Sequence, residues 1–286
     1  MENAENQSIP RTNIDESVVR HFGKEWKTFT NDERPQYCLE SEFNAFFEIF
    51  PWESLPEHAE GFDAGCGTGR WAAFIAPRVG ILNCIDPSEA IDVARKKLEK
   101  FSNVRFYHTT INDMPLADHS QDFGCSLGVL HHIPDTKSAM QACVRKLKPG
   151  APFLVFMYQN YEDRPKWYKM IWRFTDTWRK FICKLPHSQQ LFFTNLIATF
   201  IYYPLSRTAW LCEKCHLPYE NIPLASHRKE SFYQMRNMAL DRFGTALEKR
   251  YSRAELKALM ESCDLERVQF GTHPFYRWVA LGYKKA

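Results

Sequence analysis

The sequence lacks the features that mark exported, membrane-spanning or nucleic-acid-binding proteins. The first ten residues are polar and acidic, with no basic stretch followed by an apolar run, so neither a secretory signal nor a transit peptide is expected. The apolar run at 191–203 has 13 residues, fewer than the roughly twenty that span a bilayer. A net charge of +3, from 37 basic and 34 acidic side chains, lacks the basic excess of a dedicated nucleic-acid binder.

The cysteines do not form a disulfide framework. There are nine, an odd number spread over the whole length, which favours a reducing, cytoplasmic location. The sequence from Cys212 to His216 matches the c-type haem attachment pattern, but haem attachment belongs to exported proteins. Zinc would need further ligands such as Cys183 or His227, since there is no second Cys-x-x-Cys motif. We therefore predict no metal site, and the oligomeric state stays open.

Composition and pattern predict a globular protein with an interrupted α/β fold. From residue 60 to 158, short apolar runs alternate with helical segments, as in βα units around a parallel sheet. The alternation stops for about ninety residues and resumes at a capping box, Ser252 to Glu255, before a helix at 256–263 and strands near 265–270 and 275–283. The predicted parts are an N-terminal tail with cover helices at 1–58, a core at 59–158 and 251–286, and an inserted helical cap at 159–250.

A glycine-rich turn at 63–71 carries the main chemical signal. Gly65, Gly67 and Gly69 follow Asp63 at alternate positions, between a strand and a helix, where backbone N–H groups can approach a ligand closely. A dinucleotide fingerprint would need glycine where Arg70 stands, and no Gly-Lys-Ser/Thr follows to make a P-loop. The turn therefore favours a different nucleoside-containing ligand.

The turn and four later segments resemble the class I S-adenosylmethionine-dependent methyltransferases. Their first motif is an acidic residue followed by G-x-G-x-G, and an acidic residue such as Asp86 ends their second strand. Three further segments are similar to family motifs, namely 113–123, the LHH segment within 129–135, and the turn at 146–150. The resemblance implies a Rossmann-like, doubly wound seven-stranded sheet with its last strand antiparallel, and S-adenosylmethionine as cofactor.

The resemblance also implies the cofactor-binding residues. Asp86 would take the two ribose hydroxyls. Thr110 stands where the family commonly has aspartate, so Thr110, Asn112 or Asp113 would contact the adenine, helped by a backbone N–H near Ile111 or Asn112. The predicted set is Asp63, Gly65, Cys66, Gly67, Gly69, Asp86, Pro87, Thr110, Ile111, Asn112, Asp113 and Leu127.

Catalytic and acceptor-binding residues are expected near the end of the fourth strand. His132 is the predicted general base and His131 a cap of the turn, with a purely structural role for both as the alternative. Trp26, Tyr158, Asp241 and Arg242 are the predicted acceptor contacts. Asp241 and Arg242 could instead form an ion pair with each other.

The expected activity is direct methyl transfer to an O, N or C nucleophile of a small or amphiphilic biosynthetic acceptor. The residues after the fourth strand, 126–129, lack the motif that methylates amino groups of nucleic-acid bases, and no Pro-Cys nucleophile is present, so no nucleic-acid partner is expected. The alternatives are a non-methylating use of the same cofactor and a catalytically silent binding module.

The inserted segment concentrates aromatic residues. It accounts for most of the 16 Phe, Tyr and Trp between Ala151 and Trp210, several of them at helical spacing from Trp167 to Leu185 beside a basic stripe. One interpretation is a lid whose aromatic face closes over donor and acceptor and excludes water. The other adds peripheral docking on an anionic membrane, which would suit a lipid-like acceptor.

Overall fold

The structure, a computed structural model, describes residues 13–29, 35–273 and 278–286. The predicted loose tail at 1–12 lies outside the described residues. So do positions 275–277 of the predicted last strand, whose described part is Val279–Lys284.

Seven strands of the described chain form one twisted sheet. They are β1 Glu60–Ala64, β2 Ile81–Ile85, β3 Val104–Tyr107, β4 Phe123–Leu127, β5 Pro152–Phe156, β6 Leu265–Phe270 and β7 Val279–Lys284. Their spatial order is β3-β2-β1-β4-β5-β7-β6. Strands β1 to β5 are parallel, whereas β7 pairs antiparallel with both β5 and β6. The predicted fold class, with a reversed last strand, is confirmed.

The central strands are buried on both faces, as expected of a parallel sheet covered by helices. All five residues of β4 are buried. The polar residue Asn83 lies within β2, where its amide donates to Glu60 Oε1 at 3.0 Å and to Gln121 Oε1 at 3.1 Å. These bonds satisfy the amide N–H groups of a side chain that would otherwise be costlier to bury.

Six helices belong to the N-terminal part and the sheet. They are α1 Glu16–Thr28, α2 Gln36–Phe46, α3 Ala72–Ile75, α4 Ala90–Lys97, α5 Thr136–Lys146 and, late in the chain, α10 Arg253–Glu261. Alternate residues of the strands face two apolar clusters, one built with α5 and α10 and the other with α2 and α3. The predicted capping box of Ser252 and Glu255 is present at the start of α10.

Four helices lie between β5 and α10 in the chain. They are α6 Lys166–Ile182, α7 His187–Ile197, α8 Tyr203–Lys214 and α9 Phe232–Gly244, with a π-helical turn at Ala198–Tyr202 joining α7 to α8. Within the described residues, we find no helix with the length and apolarity to cross a membrane.

The aromatic face of α6 points to solvent, so the expectation that it closes over the site is wrong. Phe174 is 66% exposed and Trp178 52% exposed. The opposite face packs inward through Arg179, whose guanidinium donates to the carbonyls of Thr245 at 2.7 Å and Ala246 at 2.9 Å and pairs with Asp176 at 2.7 Å. Because these polar groups satisfy one another, the less apolar face of α6 is the buried one.

Candidate active site

A cavity of about 970 Å³, open solvent at its mouth included, lies at the carboxyl ends of β1, β2 and β4. The glycine-rich turn after β1 forms one wall, and α1 forms the opposite wall through Val18, Phe22 and Trp26. Its concave form and its mixed polar and apolar lining are those of a small-molecule or cofactor site. The carboxyl edge of an open α/β sheet is also where such ligands collect.

Gly67 brings the backbone of the turn against the cavity. Its φ is +53°, a left-handed conformation that favours glycine, and a Cβ there would lie 3.7 Å from Trp26 Nε1. The Gly67 N–H donates to Asp86 Oδ2 at 2.8 Å. Gly65 and Cys66 line the same wall, as predicted.

Asp86 is one of two acidic residues in the described chain that line the cavity; the other, Asp15, caps the start of α1. The Asp86 Oδ1 accepts from the Ser88 N–H at 2.8 Å and from the Ser88 hydroxyl at 2.6 Å. Burial raises the pKa of this carboxyl, and the bonds from Ser88 and Gly67 oppose that shift. The Asp86 carboxylate presents acceptor oxygens suited to a ribose diol, and Pro87 and Leu127 line the cavity beside it.

Two residues of the predicted cofactor set lie behind this wall. A Cβ on Gly69, at φ +72°, would approach Leu98 Cδ1 to 2.8 Å, so this glycine permits close packing of the turn on α4. Asp63 is buried beside Cys125, and burial raises its pKa to about 7. Neither is among the described residues that line the cavity.

The polar side chains predicted to contact the adenine are hydrogen-bonded to other protein groups. Thr110 donates to Asp113 Oδ2 at 2.6 Å. Asn112 Oδ1 accepts from Asn13 Nδ2 at 3.1 Å, and its own amide donates to Ser138 at 3.0 Å. Of the segment from 110 to 113, Ile111 is the residue that lines the cavity.

Asn13 holds α1 over the cavity, a role that sequence reasoning missed. Besides Asn112, it bonds the backbone of Asp135 twice, donating to the carbonyl oxygen and accepting from the N–H, both at 2.8 Å. Nothing in the sequence indicates a contact between segments so far apart.

His132 lines the cavity, and one of its ring nitrogens is buried without a hydrogen-bond partner within the described ranges. Its Nδ1 lies 2.7 Å from the carbonyl oxygen of Leu247. A carbonyl only accepts, so Nδ1 carries the proton and Nε2 carries the lone pair. Nε2 has no hydrogen-bond partner among the described residues. Burial lowers the His132 pKa to about 4, so the ring is neutral at pH 7 and can accept a proton at Nε2.

The His131 side chain packs against an aromatic ring and does not cap the turn after β4. The ring is fully buried, 4.0 Å from that of Tyr158 between centroids, and neither nitrogen has a hydrogen-bond partner in the described part of the chain. Burial lowers its pKa well below the usual value. The predicted capping of the turn by this side chain is wrong, because no polar group lies within reach of its nitrogens.

Asp241 and Arg242 have separate partners, so the predicted ion pair between them is wrong. Tyr158 Oη donates to Asp241 Oδ2 at 3.1 Å. Arg242 Nη1 pairs with Glu248 at 2.8 Å. Burial raises the Asp241 pKa to about 7, and repulsion from Glu25 and Glu248 adds to the shift. Adjacent residues of a helix point in different directions, which accounts for the divergence.

A buried pair on α1, His21 and Glu25, was not predicted. Glu25 is fully buried, and neither carboxyl oxygen has a hydrogen-bond partner among the described residues, although His21 Nε2 lies 3.4 Å from Oε2. Burial raises the Glu25 pKa and lowers that of His21 to about 4. The four-residue spacing on an amphipathic helix was the available signal.

The cysteine pair that resembles a metal motif lies at the end of α8, with Cys212 half-buried and Cys215 exposed. In the ranges that the structure describes, no group of three or more metal-ligating side chains comes together.

Fold and site define a class of protein. A glycine-rich strand-to-helix turn, with an acidic residue ending the neighbouring strand, makes a nucleoside-binding cradle at the carboxyl edge of a doubly wound sheet.

Comparisons with known proteins identify the cofactor class. A family described as a methyltransferase domain matches residues 62–155. The ubiquinone biosynthesis O-methyltransferase of Hahella chejuensis is 31% identical over 197 residues, which cover 60% of this chain and 77% of that protein. The demethylmenaquinone methyltransferase of Bacillus licheniformis is 27% identical over 101 residues, or 34% of this chain and 44% of that protein.

A solved structure shows the same fold. A chain from the complex between the Haloferax volcanii Trm112 methyltransferase activator and a methyltransferase superposes with a TM-score of 0.52, covering 94% of this chain and 100% of that one at 13% identity. The chain belongs to the class I S-adenosylmethionine-dependent methyltransferases. It is a methyltransferase, and S-adenosylmethionine is its cofactor.

Proposed function

We propose that the protein methylates a hydroxyl group of a small, amphiphilic aromatic acceptor, with His132 as the general base. The observation that carries this proposal is the unpaired Nε2 of a neutral imidazole at the cavity, whose tautomer is fixed by Leu247. A hydroxyl nucleophile benefits from such a base, whereas a carbonyl-bonded Nδ1 cannot serve.

The residues at the cavity fit the cofactor. The acceptor oxygens of Asp86 would take the ribose hydroxyls, and Gly65, Cys66 and Gly67 would hold the amino-acid part against the turn. Ile111, Pro87 and Leu127 supply apolar walls for the base. Bound S-adenosylmethionine supplies an electrophilic methyl group on a sulfonium sulfur.

The protein's own contribution is positioning and proton removal. Holding two reactants at near-attack distance can lower a barrier by roughly 7 to 11 kcal/mol. Trp26 and Phe22 of α1 cover the cavity and exclude water. His132 Nε2 would accept the hydroxyl proton as the acceptor oxygen bonds the methyl carbon and the bond from that carbon to the sulfonium sulfur breaks, which leaves a neutral thioether. The Leu247 carbonyl would stabilise the resulting imidazolium through Nδ1–H.

The acceptor class rests on the relatives and on the surroundings of His132. The two relatives' names refer to ubiquinone biosynthesis and demethylmenaquinone. The rings of Phe22 and Tyr158 lie 5.0 Å and 5.6 Å from that of His132 between centroids. An aromatic ring with a hydroxyl substituent suits such a setting, with the Tyr158–Asp241 pair as the nearby polar contact.

Substitution of His132 tests the proposal. Asparagine places an amide N–H where Nδ1 stands and so keeps the bond to Leu247, but it has no group at the position of Nε2. We expect His132→Asn to lower kcat for a hydroxylated acceptor by at least about 100-fold. Affinity for S-adenosylhomocysteine, measured by calorimetry, should change by no more than about twofold.

His58→Gln is the matched control, because His58 is exposed and distant from the cavity. It should retain full activity. Full activity of His132→Asn would contradict the role of His132 as base.

We also propose that residues 159–250 form a cap that recruits the acceptor and docks on an anionic membrane from the cytoplasmic side. Support comes from the exposed face of α6, where Phe174 and Trp178 stand beside the exposed cations Lys166, Arg173 and Lys184. Aromatic and basic groups on one surface suit the interface of an anionic bilayer.

Vesicle sedimentation tests the docking. The wild type should pellet with phosphatidylglycerol vesicles and not with phosphatidylcholine vesicles. The double variant Phe174→Ser with Trp178→Ser should lose most of this binding. Tyr37→Ser, which removes a 72% exposed aromatic from α2, should not. Equal pelleting of the double variant and the wild type would refute the docking face.

A further inference from the structure

A second cleft lies on the other side of α1 from the donor cavity. Its volume is about 600 Å³, open solvent at its mouth included. Its walls are α1, the connection between α6 and α7, and the residues following α9. Two faces of α1 line the two cavities, because residues three or four apart lie on the same side of a helix. The face on this cleft has Ser17, Arg20, His21 and Lys24, and the face on the donor cavity has Val18, Val19, Phe22 and Trp26.

The cleft is lined by basic side chains from two elements. Arg20 and Lys24 come from α1, and His187 comes from the start of α7. Neither Arg20 nor Lys24 forms an ion pair with another described residue, and no acidic side chain in the described ranges lines the cleft. Burial lowers the pKa of His187, so the uncompensated positive charge that attracts an anion comes from Arg20 and Lys24.

Two further features shape the cleft for an oxyanion. Gln190 is buried and donates its amide to the carbonyls of Cys183 at 3.1 Å and Leu185 at 2.9 Å, which fixes the wall between α6 and α7. The first turn of α7 begins in the cleft at His187, and a helix N-terminus adds partial positive charge to that of the side chains.

The buried imidazole of His21 forms the inner end. It is 7% exposed, and its Nε2 has no hydrogen-bond partner among the residues described, with Glu25 Oε2 3.4 Å away. Glu25 lies beneath the cleft rather than on its lining, and burial raises its pKa, which disfavours the carboxylate form.

We propose that this cleft binds a phosphate-class oxyanion, either free phosphate or the phosphate of a lipid headgroup. The guanidinium of Arg20 and the ammonium of Lys24 match the charge of a phosphoryl group, and the ring nitrogens of His21 and His187 are further polar groups for its oxygens. A bound anion would link α1, which covers the donor cavity, to the connection between α6 and α7.

Titration of the full-length protein with inorganic phosphate, at constant ionic strength, tests the site. We expect saturable binding of one equivalent by calorimetry. Arg20→Ala with Lys24→Ala should weaken it at least about tenfold, because charge-assisted bonds to the anion are lost. The control is Arg253→Ala with Lys257→Ala, an exposed pair of the same residue types and spacing on α10, which should bind within about twofold of the wild type.

Thermal unfolding checks that both double variants are folded. Binding to phosphatidylglycerol vesicles distinguishes a lipid headgroup from free phosphate as the occupant of the cleft. If phosphate also displaces the protein from phosphatidylglycerol vesicles and the Arg20/Lys24 double variant binds them less, the occupant is a headgroup. If vesicle binding is unchanged while phosphate binding is lost, the occupant is a free phosphate. Binding that does not saturate, or an equal loss in both double variants, would overturn the proposal.

Discussion

Gly67 and Gly69 share a left-handed backbone but differ in what surrounds them, so alanine should affect them differently. A Cβ at Gly67 would enter the donor cavity, 3.7 Å from Trp26 Nε1, whereas one at Gly69 would meet Leu98 at 2.8 Å. We expect Gly67→Ala to weaken S-adenosylhomocysteine binding at least about tenfold. Gly69→Ala should lower the free energy of unfolding by about 1 to 3 kcal/mol through overpacking and strain.

Calorimetry and denaturant unfolding of both variants provide the comparison. Each variant serves as the control for the other, since the backbone strain is common to both. Equal loss of donor affinity in both, with equal loss of stability, would show that the two glycines do not have these separate roles.

The buried carboxyl of Asp241 makes stability depend on pH. Its pKa is raised from 3.8 to about 7 by burial, so the folded state binds more protons than the unfolded state between these values. The contribution of Asp241 to the free energy of unfolding is therefore fully present below about pH 4 and is lost as the pH rises through about 7. A shift of about 3 units corresponds to at most about 4 kcal/mol.

Asp241→Asn should remove this dependence while keeping an oxygen that accepts from Tyr158. We expect the variant to gain stability over the wild type at pH 8 and not at pH 4. Urea unfolding at the two pH values measures the difference. Parallel stability curves for variant and wild type would mean that Asp241 is ionised in the folded protein at little cost.

At the scale of elements, Asn13 connects the start of α1 to the loop before α5. Its two bonds with the Asp135 backbone and the one that it donates to Asn112 hold α1 against the cavity. We expect Asn13→Ala to weaken donor binding by about three- to tenfold, because part of the binding energy must then order α1. Each lost bond is worth about 0.5 to 1.5 kcal/mol.

Thr28→Ala is a suitable control, since the Thr28 hydroxyl bonds only locally, to the carbonyl of Lys24. It should leave the affinity for S-adenosylhomocysteine unchanged in the same calorimetric assay. Undiminished affinity of Asn13→Ala would show that α1 is held by its apolar face alone.

The elements around the sheet could be predicted from sequence because local signals determine them. Alternating apolar runs and the Ser252 capping box mark β1 to β5 and α10 within a few residues. The orientation of α6 could not be predicted. An aromatic stripe normally faces a core, and here the decision depends on Arg179 reaching carbonyls at Thr245 and Ala246.

In the candidate site too, residues in contiguous motifs could be predicted from the sequence, and contacts between distant segments could not. The glycine-rich turn and Asp86 are contiguous motifs whose chemistry is readable from spacing, and His132 follows a strand end. The family resemblance predicts Asn112 as one of three alternative adenine contacts, with Thr110 and Asp113, from its place in the sequence. Its actual partner, Asn13, comes from a segment 99 positions earlier, and such a contact exists only in the folded chain.

At the scale of the whole molecule, α1 is the element shared by the donor cavity and the basic cleft, whereas the exposed face of α6 borders neither. Donor binding should therefore order a limited part of the protein. With S-adenosylhomocysteine present, we expect slower amide hydrogen exchange at residues 16–28 and 65–71, because both segments close on the ligand. Hydrogen exchange with mass spectrometry resolves these peptides.

The exposed segments of α6 and strand β6 act as internal controls in that experiment. Neither contributes to the lining of the donor cavity, so exchange there should be the same with and without ligand. The Asn13→Ala variant should lose part of the protection at 16–28 and keep that at 65–71, since the turn contacts the ligand directly. Protection confined to α6 would instead mean that the inserted helices close over the donor, contrary to the arrangement described above.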